Sequence, residues 1–76
     1  MYISIDVKAT GERLDELRLS HGLSVKDLQK IMGFSSPQAI YNWIWGVSLP
    51  SIDSLVILAE VFSIKVDDIL VVKRVS

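Results

Sequence analysis

Three polar side chains at helical spacing, Gln38, Tyr41 and Asn42, have the chemistry best suited to recognition in this sequence. A primary amide sets a donor beside an acceptor, which matches the N6 and N7 edge of adenine in a major groove. A good bidentate pair of that kind gives roughly 1–3 kcal/mol of discrimination between bases. The phenol of Tyr41 can donate to a phosphate or touch a thymine methyl. The other candidates are weaker. His21 is the single histidine. It stands beside Gly22 at an expected helix C-terminus, where a cation gains modestly from the dipole, and it reads as a surface residue. Asp67 and Asp68 are adjacent, so on a helix their carboxylates point apart; they read as first-turn acids of a last helix rather than a metal clamp. No phosphate-cradling glycine loop and no nucleophile–base pair is present. The chain is therefore not expected to be an enzyme, and no metal or cofactor is expected.

Amides on a helix face are ordinarily just solvated, so the frame around them decides. The stretch Leu23 to Pro50, LSVKDLQKIMGFSSPQAIYNWIWGVSLP, reads as two short helices with a turn at Gly33 and a stop at Gly46, the build of a helix-turn-helix. In the first of them Ser24 caps, with Asp27 three residues on in a capping-box arrangement; Val25, Leu28, Ile31 and Met32 are expected inside. Ser36 is expected to cap the second, with Pro37 at its first helical position. Setting Ile40 at zero and advancing by about 100° per residue places Ile44, Trp43 and Ala39 at roughly 40°, 300° and 260°. Tyr41, Trp45, Gln38 and Asn42 fall at roughly 100°, 140°, 160° and 200°. Trp43 is thus expected as a core anchor, whose truncation to Ala costs roughly 3–5 kcal/mol. Trp45 is expected at the surface, as an aromatic for a partner.

The remaining elements follow from the same signals. Ile3, Ile5 and Val7 alternate with Tyr2, Ser4 and Asp6, a strand pattern over about 2–8; a second strand is expected over about 71–75. A lone strand is unstable, so the two are expected to pair antiparallel, within a chain or between subunits, with Asp6 facing Lys73 or Arg74. Helices are expected over about 11–21 (capped by Thr10, with Leu14 and Leu17 inward), 25–32, 37–45, 52–62 and 66–70. The fourth opens at Pro50-Ser51 and carries Ile52, Leu55, Leu58, Ala59 and Phe62 at core spacing. The fold class is mostly α, five helices plus a small antiparallel β pair.

Composition bounds the partners. Seventy-six residues make one domain. Half of them are apolar and mean hydropathy is +0.41, which implies a dense helical core, apolar surface covered by a second subunit, or both. The absence of cysteine excludes disulfides and thiolate metal sites and suits a reducing cytoplasm. The longest apolar run, Leu55 to Ala59, is far short of the roughly 20 residues of a membrane span, and neither a signal peptide nor a membrane partner is expected. Net charge is −1, so the positive footprint of a nucleic-acid binder has to be local; Lys26 and Lys30 lie together on the second helix.

The segments LRLSHGLSVKDLQKIMGF, QAIYNWIWG and LPSIDSLVILAEVFSIKVDDIL resemble the Cro/lambda-repressor-like (XRE-type) helix-turn-helix domains of phage and bacterial regulators, over roughly Glu12 to Leu70. The resemblance implies a five-helix lambda-repressor-like bundle and a cytoplasmic transcriptional regulator that binds double-stranded DNA sequence-specifically, as a homodimer on paired half-sites. The third helix would enter the major groove and the start of the second would meet backbone phosphate. No small-molecule substrate is implied. Carried over, the resemblance makes Gln38 and Asn42 base readers and Tyr41 a groove contact. Ser24, Lys26 and Ser36 become phosphate contacts, as do Val47 and Ser48 through their backbone. The chain departs from the pattern at Val25, where Gln is frequent, and at Gln29, where Ala is. Ile44 and Trp45 stand where an acid and then a base are usual, and the run from Gly33 to Ile40 is one residue longer. These departures motivate an alternative: a protein-interaction module of the same fold that has lost DNA binding and docks through Ile44, Trp45, Val47 and Leu49.

Overall fold

The computed structural model describes residues 2–75. Strand β1 (Tyr2–Ile5) is followed by helices α1 (Val7–Ser20), α2 (Val25–Met32), α3 (Gln38–Ile44), α4 (Ile52–Phe62) and α5 (Val66–Ile69), and then by β2 (Val72–Val75). The five helices surround one core to which each contributes: Leu14 from α1, Leu28 from α2, Ile40 and Trp43 from α3, Leu55, Leu58, Ala59 and Phe62 from α4, and Ile69 from α5. Leu17, Leu23, Val25, Met32 and Phe34 pack around its edge. The strands pair antiparallel within the chain, Tyr2 opposite Val75 and Ile5 opposite Val72.

The first helix starts earlier than the sequence pattern suggests. Val7 belongs to α1 rather than to the strand, and the cap is Asp6, whose carboxylate accepts from the Ala9 N–H at 3.0 Å. An ionised carboxylate at that end also meets the positive pole of the helix. Asp6 therefore does not face Lys73 or Arg74; those residues lie opposite Ser4 and Ile3. Thr10, expected as the cap, is fully buried in the first turns of α1, and its hydroxyl accepts from the Val71 N–H at 3.0 Å. With the Asp6 N–H donating to Val71 O at 2.8 Å, that bond ties the start of α1 to the chain entering β2. Gly11 lies inside α1 because the helix crosses the end of α3 there: a Cβ at Gly11 would sit 2.1 Å from the Trp43 carbonyl oxygen.

Elsewhere the capping chemistry places the boundaries. Ser24 and Asp27 form the expected box, the Ser24 hydroxyl accepting from Asp27 N–H at 3.0 Å and the Asp27 carboxylate from Ser24 N–H at 2.9 Å. Gly33 follows α2 as its left-handed cap. Ser51 caps α4 by accepting from Ser54 N–H. Asp67 and Asp68 lie in the first turn of α5, where the Asp68 carboxylate accepts from Lys65 N–H. His21 stands exposed at the C-terminal cap of α1 and leans on Phe62, ring centroids 5.1 Å apart. Two apolar expectations are overturned. Ile31 is exposed, because α2 turns only Leu28 fully inward. Ile52 is 79% exposed, since the first turn of α4 projects beyond the core that begins at Leu55.

Candidate nucleic-acid interface

Seven residues with no side-chain cap make α3 a weak helix on its own; isolated helices this short are not stable in water. Pro37, not Ser36, occupies the cap position, and its carbonyl accepts from Tyr41 N–H. Ser36 lies exposed in the preceding bend without capping anything. A proline at the cap presets the backbone but has no side-chain acceptor, so the serine ahead of it falls one position too early. What holds α3 is its back. Ile40 and Trp43 are buried, at 1% and 6% exposure, and Phe34, in the turn, meets Trp43 edge-on at 5.8 Å. Gln29 donates from its amide to Phe34 O at 3.3 Å, fastening α2 to that turn.

The front of α3 is polar and aromatic. Gln38 is exposed, Tyr41 and Asn42 half-buried. The Gln38 amide donates to Asn42 Oδ1 at 3.0 Å. Gln38 keeps one N–H and its carbonyl oxygen, and Asn42 keeps both N–H donors and one lone pair, for a further partner. Tyr41 stacks on Trp45, centroids 5.1 Å apart at an interplanar angle of 25°. Trp45 is 62% exposed. The separation of the two indoles expected from the helical wheel is thus the separation observed. The front of α3 carries neither acid in its first turn nor base in its last.

The remaining predicted contacts lie on α2 and on the turn after α3. Ser24 and Lys26 lie exposed at the start of α2. The Ser24 N–H is already given to Asp27, and the Ser24 hydroxyl accepts from the Asp27 N–H in return. The Ser24 N–H first, then the Ser24 hydroxyl and, least, the charge of Lys30 hold the Asp27 carboxyl below its ordinary value against opposing desolvation. After α3 the chain turns at Gly46, φ +74. The N–H groups of Val47 and Ser48 both point back to Asn42 O, at 2.8 and 3.3 Å. The backbone donors expected to reach phosphate are thus engaged inside the protein, Val47 firmly and Ser48 weakly, while the Ser48 side chain is exposed.

Sequence reasoning missed three residues that build this surface. Gln29 and Phe34 hold the turn, and nothing in their types announces it. Gly11 stood at the first position of the expected helix, where a glycine raises no flag; the earlier start of α1 at Val7 is what puts it inside the helix. Among the described residues no group of three His, Cys, Asp or Glu side chains is placed to hold a metal, and no helix is long and apolar enough to cross a membrane.

Comparison with known proteins places this arrangement. A family model described as helix-turn-helix, HTH_3, matches residues 14–69. The crystal structure of the restriction-modification controller protein C.AhdI from Aeromonas hydrophila is similar, with TM-score 0.74 and 26% identity over 84% of this chain and 96% of that one. The DNA-binding domain of BldD is similar in fold, with TM-score 0.71 and 19% identity over 87% of this chain and 94% of that one. Among curated proteins no match was found.

Proposed function

Because the chain belongs to the helix-turn-helix family HTH_3, whose members are DNA-binding regulators rather than enzymes, we propose that it binds double-stranded DNA sequence-specifically by laying α3 in the major groove. The observation that carries this reading is the division of α3: Ile40 and Trp43 buried behind, and the bonded amides of Gln38 and Asn42 in front. Gln38 and Asn42 then read base edges, and Tyr41 touches a methyl or a phosphate. Lys26 and the exposed side chains of Ser24, Ser36 and Ser48 flank the groove on the phosphates, while the N–H groups of Val47 and Ser48, turned inward to Asn42 O, hold the turn instead. The molecule works as a homodimer in the cytoplasm, with no small-molecule substrate. Exposed Ile52 and Val56, one turn apart on α4, support a second copy there.

The test is selection from a random duplex pool at two salt concentrations. Affinity is expected to fall with salt, at a log–log slope of about −0.9 per phosphate neutralised. Gln38→Ala and Asn42→Ala are expected to relax base preference, each by roughly 1–3 kcal/mol. Absence of binding to every duplex at low salt overturns the reading. A second reading has one specific observation in its favour. Trp45, Val47 and Leu49 are all exposed beyond the end of α3, an apolar run that suits a protein partner, and the fold would then serve as an interaction module.

A further inference from the structure

Residues far apart in sequence meet at the end of α3. The backbone of Lys8, in the first turn of α1, lies against Gly46: a Cβ at Gly46 would come within 2.8 Å of Lys8 Cα, 3.1 Å of its Cβ and 3.4 Å of its Cγ. The left-handed backbone of Gly46, φ +74, and its lack of a side chain permit this approach. The Lys8 stem therefore starts along the turn that leads to Val47 and Ser48. Its side chain is exposed. Among the described residues the only ion pair is Arg18 with Asp15, and no hydrogen bond engages the Lys8 ammonium.

The turn itself has little to offer an anion. Both of its N–H groups donate inward to Asn42 O, and the last turn of α3 has no base. Two arginines of the chain are also committed: Arg13 donates to Asp68 O at 2.6 Å, and Arg18 to Asp15 and Leu23 O. We propose that Lys8, delivered by α1 to the turn after α3, is a phosphate contact of the DNA-binding surface, supplying the cation that the reading helix and its following turn lack. The inference rests on the reading of α3 as the DNA-facing helix. A lysine is suited to this place as a mobile point charge that follows a phosphate without a fixed fork geometry.

Binding to a mixed-sequence duplex, titrated with salt, tests it, because the backbone term is independent of the base sequence. Lys8→Gln is expected to make the log–log salt slope shallower by about 0.9 and to weaken binding equally for all sequences. Lys8→Arg is expected to retain the slope and Lys8→Glu to weaken binding further, with thermal melting unchanged in Lys8→Gln and Lys8→Arg and not lowered in Lys8→Glu. An unaltered slope in Lys8→Gln, with the parent protein still binding, overturns the assignment alone. A fall in melting temperature at an unaltered slope makes Lys8 a partner of the carbonyls ending α3 instead. No binding by the parent protein removes this proposal together with the reading beneath it.

Discussion

The two helices of the motif, nearly equal in length, are stabilised in opposite ways. α2 carries its own boundaries: a reciprocal capping box at Ser24 and Asp27, a base in its last turn and a left-handed glycine after it. α3 has no side-chain cap and no charge at either end; it is held from behind by Ile40, Trp43, Phe34 and the crossing at Gly11. Local chemistry makes α2, and tertiary packing makes α3. The consequence is functional. The first-turn groups of α2 are partly occupied in keeping the helix, whereas the front of α3 has almost no structural duty. Residues there are free to be chosen for what they touch.

The largest effect that can break this contrast is at Gly11. Adding one methyl group sets a carbon 2.1 Å from the Trp43 carbonyl oxygen, and backbone cannot yield as a flexible side chain would. Gly11→Ala gains about 1 kcal/mol of helix propensity, while overpacking of a tight interface costs about 3 kcal/mol or more. The expected net loss is about 2 kcal/mol, lowering the melting temperature by roughly 8–16 °C. DNA binding should fall with it, since α3 loses its support. A melting temperature at or above that of the parent chain would mean that α1 does not hold α3.

A smaller effect separates the helices from the other side. Ser24→Ala removes the acceptor for Asp27 N–H and should cost about 1 kcal/mol, with protection of α2 amides from exchange falling before that of α3. Acid adds a second readout. The Asp27 carboxyl titrates below its ordinary value in the folded chain, so its contribution is complete above the ordinary value and is lost as pH falls through the lowered one. Asp27→Asn should therefore be less stable than the parent at neutral pH, and the gap should close on acidification. A gap independent of pH would show that the charge of Asp27 contributes nothing.

The same contrast explains what could be seen in the sequence. Self-sufficient features were legible: the Ser24–Asp27 box, Gly33, Gly46, the Ser51 cap, the acids opening α5 and the two faces of α3. What depended on a distant partner was not. Thr10 resembles a cap by type, but its hydroxyl is used by Val71 in the closing strand, which no local rule can supply. Asp6 fits either a strand or a cap, and the strand's alternation through Val7 concealed the cap. Ile31 and Ile52 fall on periodic apolar positions, yet a small core ends before it reaches them. On the candidate surface, the amides and Trp45 were visible from helical phase alone. Lys8 was not, because its place beside Gly46 is made by the crossing of α1 over the end of α3.

The finest distinction lies within α3, between two tryptophans two residues apart. Trp43 is sealed and Trp45 is exposed, so iodide should quench one indole and spare the other. Trp45→Ala should remove the quenchable component and cost about 0.5 kcal/mol, the stacking on Tyr41 being its main attachment. Addition of a mixed-sequence duplex at low salt then decides which partner the front of α3 serves. If α3 lies in the groove, bound DNA should shield Trp45, because it shares the helical face of Gln38 and Asn42. If DNA binds while Trp45 remains fully quenchable, that face looks away from the duplex, and the run from Trp45 to Leu49 belongs to a protein partner.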